Sequence, residues 1–403
     1  MARQRREHLL SGRAQMPVRG LRPKALFLKT MRFERGGAHD PGPDSQGPQQ
    51  PYKSRAARHR ADRPAWRRKR IVKRPPMTEC GNLLTSTPIT MRCGYQSGSK
   101  NPITMACPAK LNVFLEVLGK RPDGYHELET VMLRTQFSDQ LTARPTLSPE
   151  LTLRFSDATA AENRNGVPLD ESNLILKAAA AVREKLGTRY GAVFILHKRI
   201  PPESGLAGGS SNAAAALLLC RQIWQPSPGT LLLSDADLHG IAAYLGSDIN
   251  FLLSGVPAAI CRGRGELIEP FLLARKLFFV AVRPKSGNST AAVFRATVLP
   301  DQCLNSSAVV SVLSGQDSQR FQDVFFNRLT SAAKKTNHEM AALIVRLQRL
   351  ASRPVFMSGS GSTVFVVAES RVEATQLQTQ VKQTLHRTAW ILETANPAIR
   401  TCM

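Results

Sequence analysis

The sequence predicts an α+β chain of two domains behind a basic leader, and three observations carry that prediction. From residue 103 onward, strand-patterned segments alternate with helical ones. They are joined by both short turns and longer crossovers, not by a regular strand–helix–strand repeat. A second, smaller block of strand and amphipathic-helix patterns begins near residue 275. Charge is divided as sharply as pattern: residues 1–100 hold 23 Lys/Arg against 6 Asp/Glu, and residues 101–403 hold 32 against 24. With 403 residues and 42% hydrophobic content there is enough apolar side chain for two cores. The expected organisation is a basic arm over 1–102, a first globular domain over 103–272 and a second over 273–403. No internal repeat of solenoid period is present.

The arm contains the Pro/Gly/Gln stretch PGPDSQGPQQP (41–51) and the basic block RPAWRRKRIVKR (63–74). It shows little apolar periodicity, so it is expected to stay disordered. An electrostatic nucleic-acid contact, a transit peptide and a start codon placed too far upstream compete as explanations. Six Ser and six acidic residues with no apolar signal core fit a transit peptide poorly. Met77, Met91 and Met105 are candidate internal starts. No uninterrupted apolar run approaches the roughly 18–20 residues of a membrane span. Seven scattered cysteines, with no CxxC or Cys/His pair at ligand spacing, argue against a zinc module or a disulfide scaffold. A cytoplasmic enzyme is expected, or an organellar one if residues 1–100 are a transit peptide.

The elements follow in order. ACPAKLNVFLEVLG (106–119) reads as a strand, RPDGYHE (121–127) as a turn with Asp-Gly at its tip, and LETVMLRTQF (128–137) as a second strand. LTLRFSD (151–157) alternates like a half-buried strand. NLILKAAAAVREKLG (173–187) is a helix with Ser172 as expected N-cap and Gly187 as its stop. GAVFILHKRI (191–200) is a strand, SNAAAALLLCRQIW (211–224) a helix and DADLHGIAAYLG (235–246) a shorter helix. In the second block, KLFFVAVRP (276–284) and STVFVVAE (362–369) are buried strands. HEMAALIVRLQRLAS (338–352) and RVEATQLQTQVKQTLHR (371–387) are amphipathic helices.

The strongest chemical signal is PPESGLAGGSSNAAAAL (201–217), between a strand and a helix. Gly205, Gly208 and Gly209 allow close backbone approach, and Ser210 and Ser211 add hydroxyls. The helix start directs unpaired N–H groups and the positive end of its dipole to the same place, which favours a di- or triphosphate. Neither GxxxxGK[ST] nor GxGxxG occurs in the chain.

This loop resembles the second motif of the GHMP small-molecule kinases, the family of galactokinase, homoserine kinase and mevalonate kinase. FMSGSGSTVF (356–365) resembles the third, glycine-rich motif. PAKLNVFLEVLGKRPDGYHELET (108–130) resembles the first motif in one branch, the 4-diphosphocytidyl-2-C-methyl-D-erythritol kinases. The resemblance covers about residues 103–395. It implies a ribosomal-S5-like N-terminal α/β domain, a ferredoxin-like C-terminal α/β sandwich, ATP as co-substrate with Mg2+, and a cytidine diphospho-polyol as acceptor. By the same resemblance, Asp248 in GSDINFLL is the catalytic carboxylate and Lys110 in PAKLN its partner. A lysine there keeps the carboxylate ionised and polarises the substrate hydroxyl. Nucleotide contacts fall to Pro201, Pro202, Glu203, Ser204, Gly205, Leu206, Ala207, Gly208, Gly209, Ser210 and Ser211, with Asn173 and Lys198 on the adenosine side. Asn112 lies near the transferred hydroxyl. Tyr125, His126 and Phe294 bind cytosine, with Tyr125 and Phe294 on opposite faces of the base.

Three departures from the family pattern stand out. Asn250 occupies a position usually held by Pro, two residues from Asp248. The loop reads Gly-Leu-Ala at 205–207 where Gly-Leu-Gly is usual. The segment usually reading NDxE is Asn327-Arg328-Leu329-Thr330. Two alternatives remain. One is another kinase of the family, of homoserine or mevalonate type, which has no use for a Tyr-His pair after an Asp-Gly turn. The other is a basic nucleic-acid-binding protein, weakened because the basic residues concentrate outside the globular part.

Overall fold

The computed structural model describes residues 101–224, 233–318 and 320–395. The expected basic arm lies, up to residue 100, outside the described residues. The chain enters in a long hairpin of β1 (Ile103–Lys120) and β2 (His126–Thr146), turning at Asp123 and Gly124, where Gly124 takes φ +84°. There follow β3 (Leu151–Phe155), α1 (Ala161–Arg164), α2 (Leu174–Leu186), β4 (Gly191–His197) and α3 (Gly208–Trp224). After these come α4 (Asp235–Leu245), α5 (Ile249–Ser254), β5 (Ala258–Gly263) and β6 (Leu267–Pro270).

Strand β2 extends nine residues past the expected Phe137. Its far edge has two successive partners: β5 pairs with Leu128–Leu133 and β4 with Gln140–Thr146. Long-range pairing of this kind overrides the turn-like composition of SDQLTARPT. In α2 the N-cap is Asn173, not Ser172: the Asn173 side chain accepts from Ile175 N–H at 2.9 Å, while Ser172 bonds the Asp170 carboxylate. Gly187 closes that helix in the left-handed region as expected, at φ +60°.

The second block contains β7 (Phe278–Val282), α6 (Thr290–Ala296), α7 (Ser307–Leu313), α8 (Phe321–Val324) and β8 (Phe326–Asn327). It continues with α9 (Leu329–Thr336), α10 (His338–Ala351), β9 (Phe356–Met357), β10 (Val364–Ala368), α11 (Arg371–Gln380) and β11 (Ala389–Glu393). The expected helix over 371–387 breaks near its middle, because Val381–Leu385 widens into a π-helical turn. β11, β7, β10 and β9 form a four-stranded antiparallel sheet in that order. The larger sheet runs β3-β4-β2-β1-β8, with β5 also on β2 and β6 on β5. Through β8, the second block adds a strand to the first block's sheet.

One core lies between the larger sheet and its helices, where Leu141, Phe194 and Leu196 meet Ile175 and Val182 of α2 and Ala213 and Leu217 of α3. A second packs Val280, Val364 and Val366 against Leu343, Ile344 and Leu347 of α10. A third joins the two sheets through Leu111, Leu133, Leu273 and Leu277 on one side and Phe279, Phe325 and Phe365 on the other. Each such buried Leu, Ile, Val or Phe side chain contributes about 1.5–3 kcal/mol of transfer free energy. Among the described residues no helix is long and apolar enough to cross a membrane.

Candidate active site

Lys110 sits on β1 between two register irregularities, one between Pro108 and Lys110 and one between Asn112 and Phe114. Such bulges re-aim side chains. Lys110 is buried, 3% exposed, and its ammonium donates to Asn112 Oδ1 and, at 2.9 Å, to the Gly205 carbonyl. It lies 3.6 Å from Asp248 Oδ2. Asp248 precedes α5 at the N-cap position, yet its side chain makes no capping bond. The carboxylate is therefore available to Lys110 and to the cleft. Asn250 turns elsewhere: its Oδ1 lies 3.0 Å from His239 Nδ1.

Asn112 is oriented from both sides. Its amide donates to Thr130 Oγ1 at 2.8 Å, and its backbone N–H donates to Ser358 Oγ at 3.2 Å. Ser358 in turn donates to the Gly205 carbonyl at 3.0 Å. The three motif segments thus converge on Lys110, through contacts between residues 95 and 153 positions apart in sequence. Gly205 makes the convergence possible. It holds φ +76°, and a Cβ there would lie 2.4 Å from the Ser358 carbonyl oxygen. Asn327, in the segment that departs from NDxE, donates to the carbonyls of Met357 and Gly359 and so pins the third loop. Its neighbour Arg328 forks onto the buried Glu116 of β1.

Helix α3 begins three residues earlier than expected, inside the glycines. The Ser211 N–H reaches the Ala207 carbonyl at 2.9 Å, so the N–H groups of Gly208, Gly209 and Ser210 precede the first intrahelical bond. They line one cleft of about 1080 Å³ together with Lys110, Asp248, Tyr125, His126 and Phe294. A Cβ on Gly209 would meet only Leu174 Cδ1, at 4.0 Å, so that position stays open to a ligand. Leu206 and Ser211 are buried and do not line the cleft, whereas Pro201 through Gly205 and Ala207 through Ser210 do.

Two residues expected on the adenosine side do not line the cleft. Lys198 is buried behind the loop, not on the cleft wall, and pairs with Asp139 at 2.6 Å. Asp139 also accepts from the N–H groups of Arg199 and Ile200, both at 2.7 Å, and from Asn212 of α3 at 3.0 Å. So enclosed, the Lys198 ammonium braces the loop from behind; burial holds it below the ordinary lysine value, and Asp139 offsets part of that shift. Asn173 is spent on its own helix start, since its amide N–H also bonds the Pro168 carbonyl. Its neighbour Leu174 reaches the cleft instead.

At the other end, Phe294 of α6 stacks on His126, with ring centroids 5.0 Å apart and planes 28° from parallel. One face of Phe294 is thus taken by the imidazole. Burial and then the nearby Lys120 charge push the His126 imidazole below its usual range. Tyr125 is 54% exposed at the cleft rim, with the Arg264 guanidinium 4.9 Å from its ring centre. The sequence reading did not single out Arg264, because a lone arginine in a Gly-Arg-Gly-Glu turn carries no motif. Nor did it find Asn288, which ties the start of α6 to the third loop through the Ser360 carbonyl at 2.8 Å. Cys107, Cys220 and Cys261 are buried free thiols. Burial pushes Cys107 and Cys261 up to about 12, and raises Cys220 as well, so none supplies a thiolate.

Among the described residues no group of three His, Cys, Asp or Glu side chains is placed to hold a metal ion. The arrangement has two chemical ends: amide N–H groups at a helix start, suited to phosphate, and a Lys-Asp pair beside aromatic rings. Comparison with known proteins gives the family. The descriptions "GHMP kinases N terminal domain" and "GHMP kinases C terminal" match residues 173–263 and 312–387. A 4-diphosphocytidyl-2-C-methyl-D-erythritol kinase of Shouchella clausii is 34% identical over 273 residues, covering 67% of this chain and 87% of that protein. The kinase of the same name from Pelotomaculum thermopropionicum is 35% identical over 284 residues, covering 70% and 94%. A crystal structure of a 4-(cytidine 5'-diphospho)-2C-methyl-D-erythritol kinase superposes with a TM-score of 0.59 at 30% identity, covering 73% of this chain and all of that one. A mevalonate kinase from L. major, at 14% identity and a TM-score of 0.56, shares the fold. The chain belongs to the GHMP kinases, in the branch of the 4-diphosphocytidyl-2-C-methyl-D-erythritol kinases.

Proposed function

We propose that this cleft transfers the γ-phosphoryl group of ATP to the 2-hydroxyl of 4-diphosphocytidyl-2-C-methyl-D-erythritol, a step of non-mevalonate isoprenoid precursor synthesis. The observation that carries the reading is the Lys110–Asp248 pair at 3.6 Å in the same cleft as the open N–H groups of α3. The loop 201–210 and the start of α3 hold the nucleotide phosphates. Asp248 accepts or orients the proton of the acceptor hydroxyl, and Lys110 holds the carboxylate in place and polarises the same oxygen. A new bond forms between that oxygen and the γ-phosphorus, the bond from phosphorus to the β–γ bridging oxygen breaks, and ADP leaves with its electron pair.

The residues present suit a magnesium ion that arrives with the nucleotide. The Ser210 hydroxyl and the Asp248 carboxylate are hard oxygen donors on the cleft wall, and phosphate oxygens and water complete such a shell. When bound, the ion neutralises phosphate charge. Tyr125, His126 and Phe294 favour a cytidine-bearing acceptor through stacking and edge contacts. The test is a coupled ADP-release assay offering the cytidine diphospho-polyol beside homoserine and mevalonate. Release with the first alone is expected; release with homoserine or mevalonate and not with the cytidine compound overturns the substrate reading while leaving a kinase.

A further inference from the structure

Arg264 stands in the turn between β5 and β6 and lines the cleft without a role in the mechanism above. Its guanidinium lies 4.9 Å from the Tyr125 ring centre, and its Nη2 donates to the Ala243 carbonyl at the end of α4 at 2.8 Å. Its Nε faces Glu266 Oε1 at 3.6 Å, while the other Glu266 oxygen accepts from the Arg264 backbone N–H at 2.6 Å. The turn is thus closed on itself, and the side chain is held at a fixed place, 24% exposed. Those contacts use two of the nitrogens on a fork with five N–H donors. The next residue, Gly265 at φ +119°, has Ser247 beside it: a Cβ there would lie 3.6 Å from the Ser247 carbonyl oxygen. Ser247 precedes Asp248.

The order along the wall is therefore Tyr125, Arg264, then Ser247 and Asp248. The acceptor has the same order: a cytosine nucleoside, a diphosphate bridge and the polyol that carries the reacting hydroxyl. We propose that Arg264 grips the diphosphate bridge of the acceptor and so selects a nucleoside diphosphate over a nucleoside. This rests on the cytidine-substrate reading given above. A planar, permanently charged fork suits two neighbouring phosphate groups better than a point charge does. Because Ala243 and Glu266 hold the arm in advance, little ordering entropy is lost when the ligand arrives.

The test is calorimetry on the full chain, with a non-hydrolysable ATP analogue saturating the nucleotide end, using CDP and cytidine as probes. The unaltered protein is expected to bind CDP more tightly than cytidine by about 10- to 150-fold, the range for hydrogen bonds to charged groups. Arg264→Gln is expected to lose most of that ratio while its cytidine and ATP-analogue affinities stay within about two-fold, which also reports an intact fold. Arg264→Lys, which keeps charge without the fork, should fall between. An unchanged CDP-to-cytidine ratio in Arg264→Gln overturns the proposal and leaves the substrate reading standing. Equal losses for CDP and cytidine also overturn it, reducing Arg264 to a brace for Tyr125. If the unaltered protein binds neither probe, the cytidine reading itself falls and the proposal falls with it.

Discussion

Asp248 occupies an N-cap position without capping, which leaves its carboxylate to Lys110 and the cleft, as the role proposed for it requires. Asp248→Asn keeps size and removes charge. Since general-base contributions run about 10²–10⁴-fold, kcat is expected to fall by that order with both KM values nearly unchanged. Lys110→Met should also cut kcat, and the double variant should be little worse than either single one, because groups acting as a unit are not additive. Steady-state kinetics on the three variants check this, and multiplicative losses would assign Lys110 to the phosphates instead. His126 supplies a pH signature. Its folded pKa is depressed, so the neutral ring is favoured, and its contribution is complete above the ordinary imidazole value of about 6.5 and lost as pH falls through the lowered folded value. KM for the cytidine substrate is expected to climb on acidification while KM for ATP does not follow, and His126→Gln should flatten the climb.

At the scale of the element, the loop and helix 201–224 depend on what lies behind them. Gly208 faces inward, where a Cβ would meet Lys198 Nζ at 2.7 Å and Ile200 Cγ2 at 3.0 Å; Gly209 faces open space. Gly209→Val is therefore the cleaner probe of the phosphate cradle. ATP affinity, read by calorimetry, is expected to drop sharply while the melting temperature barely moves. Gly208→Val should lower both. Lys198→Met is expected to leave the Asp139 carboxylate buried with its charge unbalanced, a loss of roughly 3–5 kcal/mol in unfolding free energy. The backbone donors of Arg199 and Ile200 favour the lower end of that range. Urea titration measures it, and Asp139→Asn in the same chain should recover part of the loss. A contact with adenosine instead of a strut would show as weakened ATP binding at unchanged stability.

At the scale of the whole molecule, two sheets share one core and three distant segments meet at one lysine, and much of that was legible in advance. The glycine loop carries chemistry in its own pattern, Lys110 and Asp248 stand out through the resemblance to the family's motifs, and the expected strands and helices lie close to their places, save the break at Val381. The arm over residues 1–100 lies outside the described residues, and relatives such as the Shouchella clausii kinase align with 67% of the chain. What the sequence hid has physical causes. Gln140 through Pro145 form a stretch that looks like a loop, yet long-range pairing with β4 makes it strand. Lys198 has the composition of a ligand contact and the environment of a buried strut. Arg264 gains meaning only when the turn after β5 is folded against Tyr125 and Ser247. Pairings between distant residues decide all three, and local pattern does not encode them. The central claim, phosphoryl transfer to the 2-hydroxyl, is tested most directly by proton-coupled ³¹P NMR of the reaction product. The acceptor's second carbon bears a methyl group and no hydrogen, so its phosphate ester has no three-bond coupling to a proton. The expected result is one new uncoupled phosphomonoester resonance beside the unchanged diphosphate bridge. A resonance split by carbinol protons would place the phosphate on a neighbouring hydroxyl and contradict the account.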